Sequence, residues 1–144
     1  MVVGAFADLC VADVRASVDF YRRLLGLDVI VDHGWYAELG AGGRTLLALV
    51  ASGHETVPPD AVAPARGLLV TFEVDDAGAV ADVAAEMGDP IRWPLTVELG
   101  QRHVMVADPD GTIVDAVERV PMTPEDVRRL AGYRRVARAG VTGC

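Results

Sequence analysis

Residues 13–26, DVRASVDFYRRLLG, and residues 76–88, DAGAVADVAAEMG, decide the fold. Each opens on an Asp able to accept from the first free amides of a helix, and each closes on a Gly suited to a left-handed stop. Val14, Val18, Tyr21 and Leu25 make one apolar stripe; Val80, Val83, Ala84 and Met87 make its counterpart. Strand-like runs precede both helices, AFADLCVA (5–12) and LLVTFEVD (68–75). Three more follow each: DVIVD, WYAEL and TLLALV in the first copy, IRW, RHVMVA and TIVDAV in the second.

The plan is therefore β-α-β-β-β written twice. Residues 3–50 form the first module, 51–66 a linker, and 67–119 the second module, making one domain over 1–119. The linker, ASGHETVPPDAVAPAR, is rich in Pro and Ala and lacks periodicity. Residues 120–144 are a C-terminal helical extension, with Thr123 as cap and Pro124 as first helical residue. It lies outside the repeat and is expected to cover a sheet edge or a dimer seam.

Strand parity gives the first clue to function. Ala7, Leu9 and Val11 form an apolar face, opposed by Phe6, Asp8 and Cys10. Val70, Phe72 and Val74 oppose Leu69, Thr71 and Glu73. Val104 and Val106 oppose His103 and Met105, and Val114 and Ala116 oppose Ile113, Asp115 and Val117. The apolar faces suit burial under the helices. The mixed faces suit a semi-polar cavity. The fold class is α+β, with two βαβββ modules forming a partly open, barrel-like cavity, plus a C-terminal helix.

Composition narrows the function. The 144 residues are 51% apolar and 24% charged, which is the balance of a soluble globular chain. No apolar run nears the ~20 residues that a membrane helix needs. The N-terminus has no basic lead-in and carries Asp8 early, so no signal peptide is expected. Cys10 and Cys144 do not make a disulfide framework, and a reducing cytoplasm is the expected setting. A net charge of −8 argues against nucleic acid as a partner, although the C-terminal extension is rich in Arg. All 13 basic residues are Arg, which removes Schiff-base and P-loop lysines; Ser17 and Ser52 are not in a nucleophile elbow.

The order DVRASVDFYRRLLGLDV, GWYAELG, FEVDD and VADPDGTIVDAVE resembles the vicinal oxygen chelate superfamily of glyoxalase I, bleomycin-resistance proteins and extradiol dioxygenases. The resemblance covers about residues 3–119. It implies paired modules curling around one site, in a homodimer. Catalytic relatives hold a divalent metal at four strand positions. Carried over, these fall on Phe6, Leu69 and Asp115, and on Leu47 four residues after Gly43. Phe and Leu offer no lone pair, and one carboxylate does not hold such an ion tightly. No metal ligand set and no cofactor are expected. An altered set drawn from Asp8, Cys10, Glu73, His103 and Asp115 is the alternative.

Two residues in QRHVMVADPDGTIVDAVERV (101–120) stand out. His103 is either a hydrogen-bonding or acid–base group in the pocket or a strand-end residue at the rim. Asp115, between Ile113 and Val117, is either a ligand anchor or general base, or half of an internal ion pair with Arg44, Arg92 or Arg102. These two are the catalytic candidates. Trp35, counted back from its hairpin, is equivalent to His103; with Phe6, Tyr36 and Trp93 it offers either an aromatic wall for a planar ligand or simple core filling. Cys10 reads as a small core residue. Asp8 and Glu73 stand inside the cavity or solvated at its mouth, and His33 and His54 on the surface. The DPDG turn reads as a plain hairpin.

The ligand-binding set is thus Phe6, Asp8, Trp35, Leu69, Glu73, Trp93, His103, Met105 and Asp115. The expected function is metal-free binding of a small organic molecule, with drug sequestration as a role by analogy. The alternatives are an enzyme (lyase, isomerase or dioxygenase) with an altered metal site or an Asp115/His103 acid–base pair, and a dimeric structural protein with a closed cavity.

Overall fold

The computed structural model describes residues 1–88 and 90–139. Elements run β1 (Ala7–Val11), α1 (Val14–Leu25), β2 (Asp28–Asp32), β3 (Tyr36–Ala41), β4 (Arg44–Ala51), β5 (Leu69–Glu73), α2 (Ala77–Glu86), β6 (Ile91–Glu98), β7 (Gln101–Ala107), β8 (Ile113–Arg119) and α3 (Pro124–Ala139). Both helix starts follow the sequence signal. Asp13 accepts from the Ala16 amide, and Asp76 accepts from those of Gly78 and Ala79. Gly26 ends α1 in the left-handed region at φ 66°, its amide donating to the Arg22 carbonyl.

The strands make two four-stranded sheets, ordered β1-β4-β3-β2 and β5-β8-β7-β6. In each, the first strand pairs in parallel with the fourth and the rest are antiparallel. The sheets do not close into a barrel, so the arrangement is open. The faces predicted to be apolar are buried under the helices: Leu9, Val11, Leu47 and Leu49 against Val18, Tyr21 and Leu24, and Val70, Val104, Val106 and Val114 against Val80 and Ala84. These residues form one continuous core across both modules.

A polar clasp joins the modules beside that core. The Tyr21 hydroxyl, fully buried, donates to Asp108 Oδ2 at 2.8 Å. Asp108 Oδ1 accepts from the amides of Asp110 and Thr112, and Asp110 Oδ1 accepts from the Ala12 amide. The DPDG turn therefore fixes a hairpin and also ties the second module to the first. Burial raises the Asp108 carboxyl against these hydrogen bonds, and burial followed by the Asp108 charge raises the Tyr21 phenol.

Three features depart from the sequence reading. First, the β3–β4 hairpin has a register shift between Leu39 and Gly40. Gly40 is required there, because a Cβ would run into the Arg44 carbonyl oxygen. The extra residue makes Tyr36, which pairs with Val50, the counterpart of His103, which pairs with Val117; Trp35 is not. The counterpart of Asp115 is likewise Ala48, since Asp8 pairs with Ala48 as Thr71 pairs with Asp115; Leu47 is buried on the helix side.

Second, β6 runs past IRW and through Pro94 to Glu98. It is an edge strand, where a residue without an amide hydrogen is tolerated. Third, the linker is folded: a 3-10 turn at Pro59–Ala61 and turns at His54 and Val57 hold it beside β1.

α3 begins at the expected cap. Thr123 Oγ1 accepts from the Asp126 amide while Asp126 Oδ2 accepts from the Thr123 amide, a reciprocal capping box. Asp126 Oδ1 also accepts from the Leu99 amide, anchoring the helix to the β6–β7 turn. Leu99 adopts φ 51° and Gly100 φ 78°, so a branched side chain sits where the turn favours Asn or Gly.

Candidate functional site

Register builds the site. On the helix-free face of the first sheet, Asp8, Ala48 and Glu38 form one row across β1, β4 and β3. Cys10, Val50 and Tyr36 form the next. Ala48 is small and fully buried, so the two outer carboxylates rise on either side of a low centre. Trp35 stands beside this floor, its ring centroid 5.6 Å from that of Tyr36.

The linker supplies the facing wall. His54 stacks flat on Trp35, with centroids 3.8 Å apart and planes within 3°, and its Nδ1 lies 3.0 Å from Thr56 Oγ1. Thr56, Val57, Pro58 and Ala61 then enclose an open cleft of about 430 Å³ over Asp8, Cys10, Trp35, Tyr36 and Val50. His54, expected on the surface, is thus the post that carries the linker.

The polar groups here are organised. Glu38 accepts from the Tyr36 hydroxyl on one oxygen (2.9 Å) and from Thr45 Oγ1 on the other (2.6 Å), which holds its carboxyl below the ordinary value. Partial burial, then the Glu38 charge, raises Asp8. Tyr36 is pushed up to about 12 by burial, by its bond to Glu38 and by the nearby acids. Burial, then Asp8, raises the Cys10 thiol, which leaves it a poor nucleophile. Among the described residues, neither Asp8 nor Glu38 forms an ion pair.

The second module differs. The row equivalent to Asp8–Ala48–Glu38 is Thr71, Asp115 and Met105, continued by Trp93 on β6. His103 Nδ1 lies 3.2 Å from Asp115 Oδ1, and both residues are 7% exposed. The partner of Asp115 is therefore His103, not Arg44, Arg92 or Arg102. His103 Nε2 is buried without a hydrogen-bond partner; the nearest acid is Glu98, 3.9 Å away and itself 3.7 Å from Arg129. Arg102 bonds Glu118 at 3.3 Å, away from the pocket face.

Of the predicted ligand residues, Asp8 and Trp35 meet in the cleft. Phe6 is half-exposed where the chain enters β1. Leu69 and Glu73 line a separate groove along β5, and Glu73 accepts from Arg119 Nε at 3.0 Å. Trp93 is half-exposed on β6, next to Met105. Glu38, Thr45 and the linker side chains were missed by sequence reasoning. Parity within WYAEL would have put Tyr36 and Glu38 on one face; nothing local marks the linker.

A divalent metal does not fit this donor set. The corrected positions are Phe6, Leu69, Ala48 and Asp115; three carry no lone pair, and Asp115 is engaged by His103. Among the described residues, no group of three or more His, Cys, Asp or Glu side chains is placed to hold a metal ion. No described helix is long and apolar enough to cross a membrane.

Comparison with known proteins follows the same lines. Residues 3–115 match the profile of the Glyoxalase/Bleomycin resistance protein/Dioxygenase superfamily. Among curated proteins none matches. A member of that superfamily from Sphaerobacter thermophilus superposes with a TM-score of 0.66 at 22% identity, covering 83% of this chain and 99% of its own. A lactoylglutathione lyase from Agrobacterium tumefaciens gives 0.62 at 20% identity, over 82% and 95%. A protein of unknown function from Agrobacterium tumefaciens strain C58 gives 0.66 at 25% identity, over 83% and 96%.

Proposed function

The chain belongs to the Glyoxalase/Bleomycin resistance protein/Dioxygenase superfamily, and we propose that it binds a small organic molecule, without a metal, in the cleft between the first sheet and the linker. The observation that carries this is an open, mostly apolar cleft of about 430 Å³ with an aromatic wall and a few convergent polar groups. Trp35 and Tyr36 stack the ligand, Asp8 anchors it, Glu38 holds Tyr36 by accepting its hydroxyl, and the linker forms the facing wall. Sequestration of a toxic organic compound is the role that suits this cleft, where the Cys10 thiol is a poor nucleophile and, among the described residues, no three donors converge on a metal. A homodimer is part of the proposal: Phe6, Leu46, Leu69 and Trp93 leave apolar surface open away from the cleft.

A thermal-shift screen of a chemically diverse library tests the reading, with Trp35→Ala as control. A ligand at a hundredfold excess over its Kd adds ~2.7 kcal/mol to wild-type stability. Trp35→Ala should abolish that gain. A hit whose affinity survives both Trp35→Ala and Asp8→Ala contradicts the assignment, as does about one equivalent of bound metal in the purified protein.

A second reading rests on the His103–Asp115 pair. Asp115 orients one ring nitrogen and leaves the other without a partner, the arrangement of an acid–base dyad. In that case the protein turns over a substrate, and His103→Gln abolishes turnover while leaving binding intact.

A further inference from the structure

We propose that the first-module cleft selects an organic cation, a protonated amine or amidine carried on a flat apolar ring. The inference deepens the binding reading above and rests on it. Charge is the first ground. Asp8 lines the cleft, Glu38 lies in the same sheet row beyond Ala48 and bonds the cleft residue Tyr36, and neither acid has a cationic partner among the described residues. Two hydroxyl donors fix Glu38 as an ionised carboxylate, and its charge adds to the strain on Asp8. A cation seated in the cleft beside Asp8 relieves that repulsion, whereas an anion adds a third like charge.

Shape is the second ground. The aromatic pair Trp35 and Tyr36 stands next to this floor, and Trp35 is held rigid by the His54 ring lying flat on it. Indole and phenol faces attract cations as well as flat rings. Across the cleft, Val57 and Pro58 offer apolar contact to the ligand's far side. A metal cation would not be held, because three donors do not converge here. The site therefore asks for charge and planarity in one molecule.

The test uses three isosteres of different charge: 2-naphthylmethylammonium, neutral 2-naphthylmethanol and anionic 2-naphthoate, each titrated into the full chain by calorimetry at low salt. The ammonium is expected to bind at least roughly tenfold more tightly than the alcohol, with the carboxylate weakest. Asp8→Asn and Glu38→Gln should each weaken the ammonium by a larger factor than the alcohol, so that the ratio of the two affinities falls. Circular dichroism melts confirm that both variants fold. If the alcohol or the carboxylate equals the ammonium, cation selection is wrong while small-molecule binding stands. If none of the three binds, cation selection is again overturned, and the binding reading is decided separately by the library screen. An ammonium advantage that survives both substitutions places the charge recognition elsewhere and also overturns the proposal.

Discussion

The two modules share a strand order and differ in where they place their acids. In the first, the acids flank the position of Ala48 on β4: Asp8 on the edge strand β1 and Glu38 on the interior strand β3. In the second, the acid is central, Asp115, flanked by Thr71 and Met105 and covered by His103. A central acid is buried, so it needs an internal partner, and His103 supplies one. Asp8 on the edge strand stays exposed, and Glu38 on β3 is satisfied by the hydroxyls of Tyr36 and Thr45. One scaffold thus yields a closed polar pair and an open polar cleft. The site follows from which strand carries the charge, not from how many charges the module has.

The largest effect expected from breaking this contrast lies in the second module. His103→Ala leaves Asp115 buried without a partner and should cost about 3 kcal/mol, a fall in Tm of roughly 10 °C. A change under about 2 °C would show that the pair is not structural. The clasp between modules comes next. Tyr21→Phe removes the donor to Asp108 and should cost about 1–2 kcal/mol by denaturant unfolding, with no change in ligand affinity. Thr123→Ala breaks the capping box of α3, costs about 1 kcal/mol, and should raise hydrogen exchange at residues 98–100 as well as in the helix.

Asp8→Asn should move stability by less than about 0.5 kcal/mol, since the side chain is open. Its pH dependence sharpens the comparison with Asp126. Asp8 is raised in the folded state, so its ionisation works against folding: wild type should lose stability relative to Asp8→Asn as pH rises through the carboxylate range. Asp126 is lowered, chiefly by its bonds from Thr123 and then from Leu99. Its contribution is present above the ordinary carboxylate value and lost as pH falls through the lowered one. Wild type should therefore exceed Asp126→Asn at neutral pH and converge with it in acid. Melts from pH 3 to 7 read both signs, and parallel trends would refute the assignment.

The repeat, the helix caps, the buried strand faces and the Thr123 cap were legible in the sequence because each rests on local chemistry: an Asp before an apolar stripe, a Gly after it, alternation along a strand. Parity also brought His103 and Asp115 to one face. It did not reveal that they bond to each other, since that depends on side-chain reach across β7 and β8. The Trp35 and Leu47 equivalences failed because the bulge at Gly40 shifts the count by one residue, and glycine-rich ELGAGGR does not say where the extra residue falls. The cleft's outer wall was illegible for another reason. A Pro- and Ala-rich linker has no periodicity, and its place is set by contacts distant in sequence, His54 on Trp35 and the Ser52 amide on the Val11 carbonyl.

The chain has two tryptophans, and each module holds one: Trp35 at the cleft and Trp93 on β6. Their indole N–H resonances report the two modules separately in one spectrum. Titrating the best-bound ligand into nitrogen-15-labelled protein, with the peaks assigned through Trp35→Phe, tests the central claim directly. The Trp35 resonance should shift in proportion to saturation while that of Trp93 stays in place. A saturable shift at Trp93 with Trp35 unmoved would put the ligand on the second module and contradict the account.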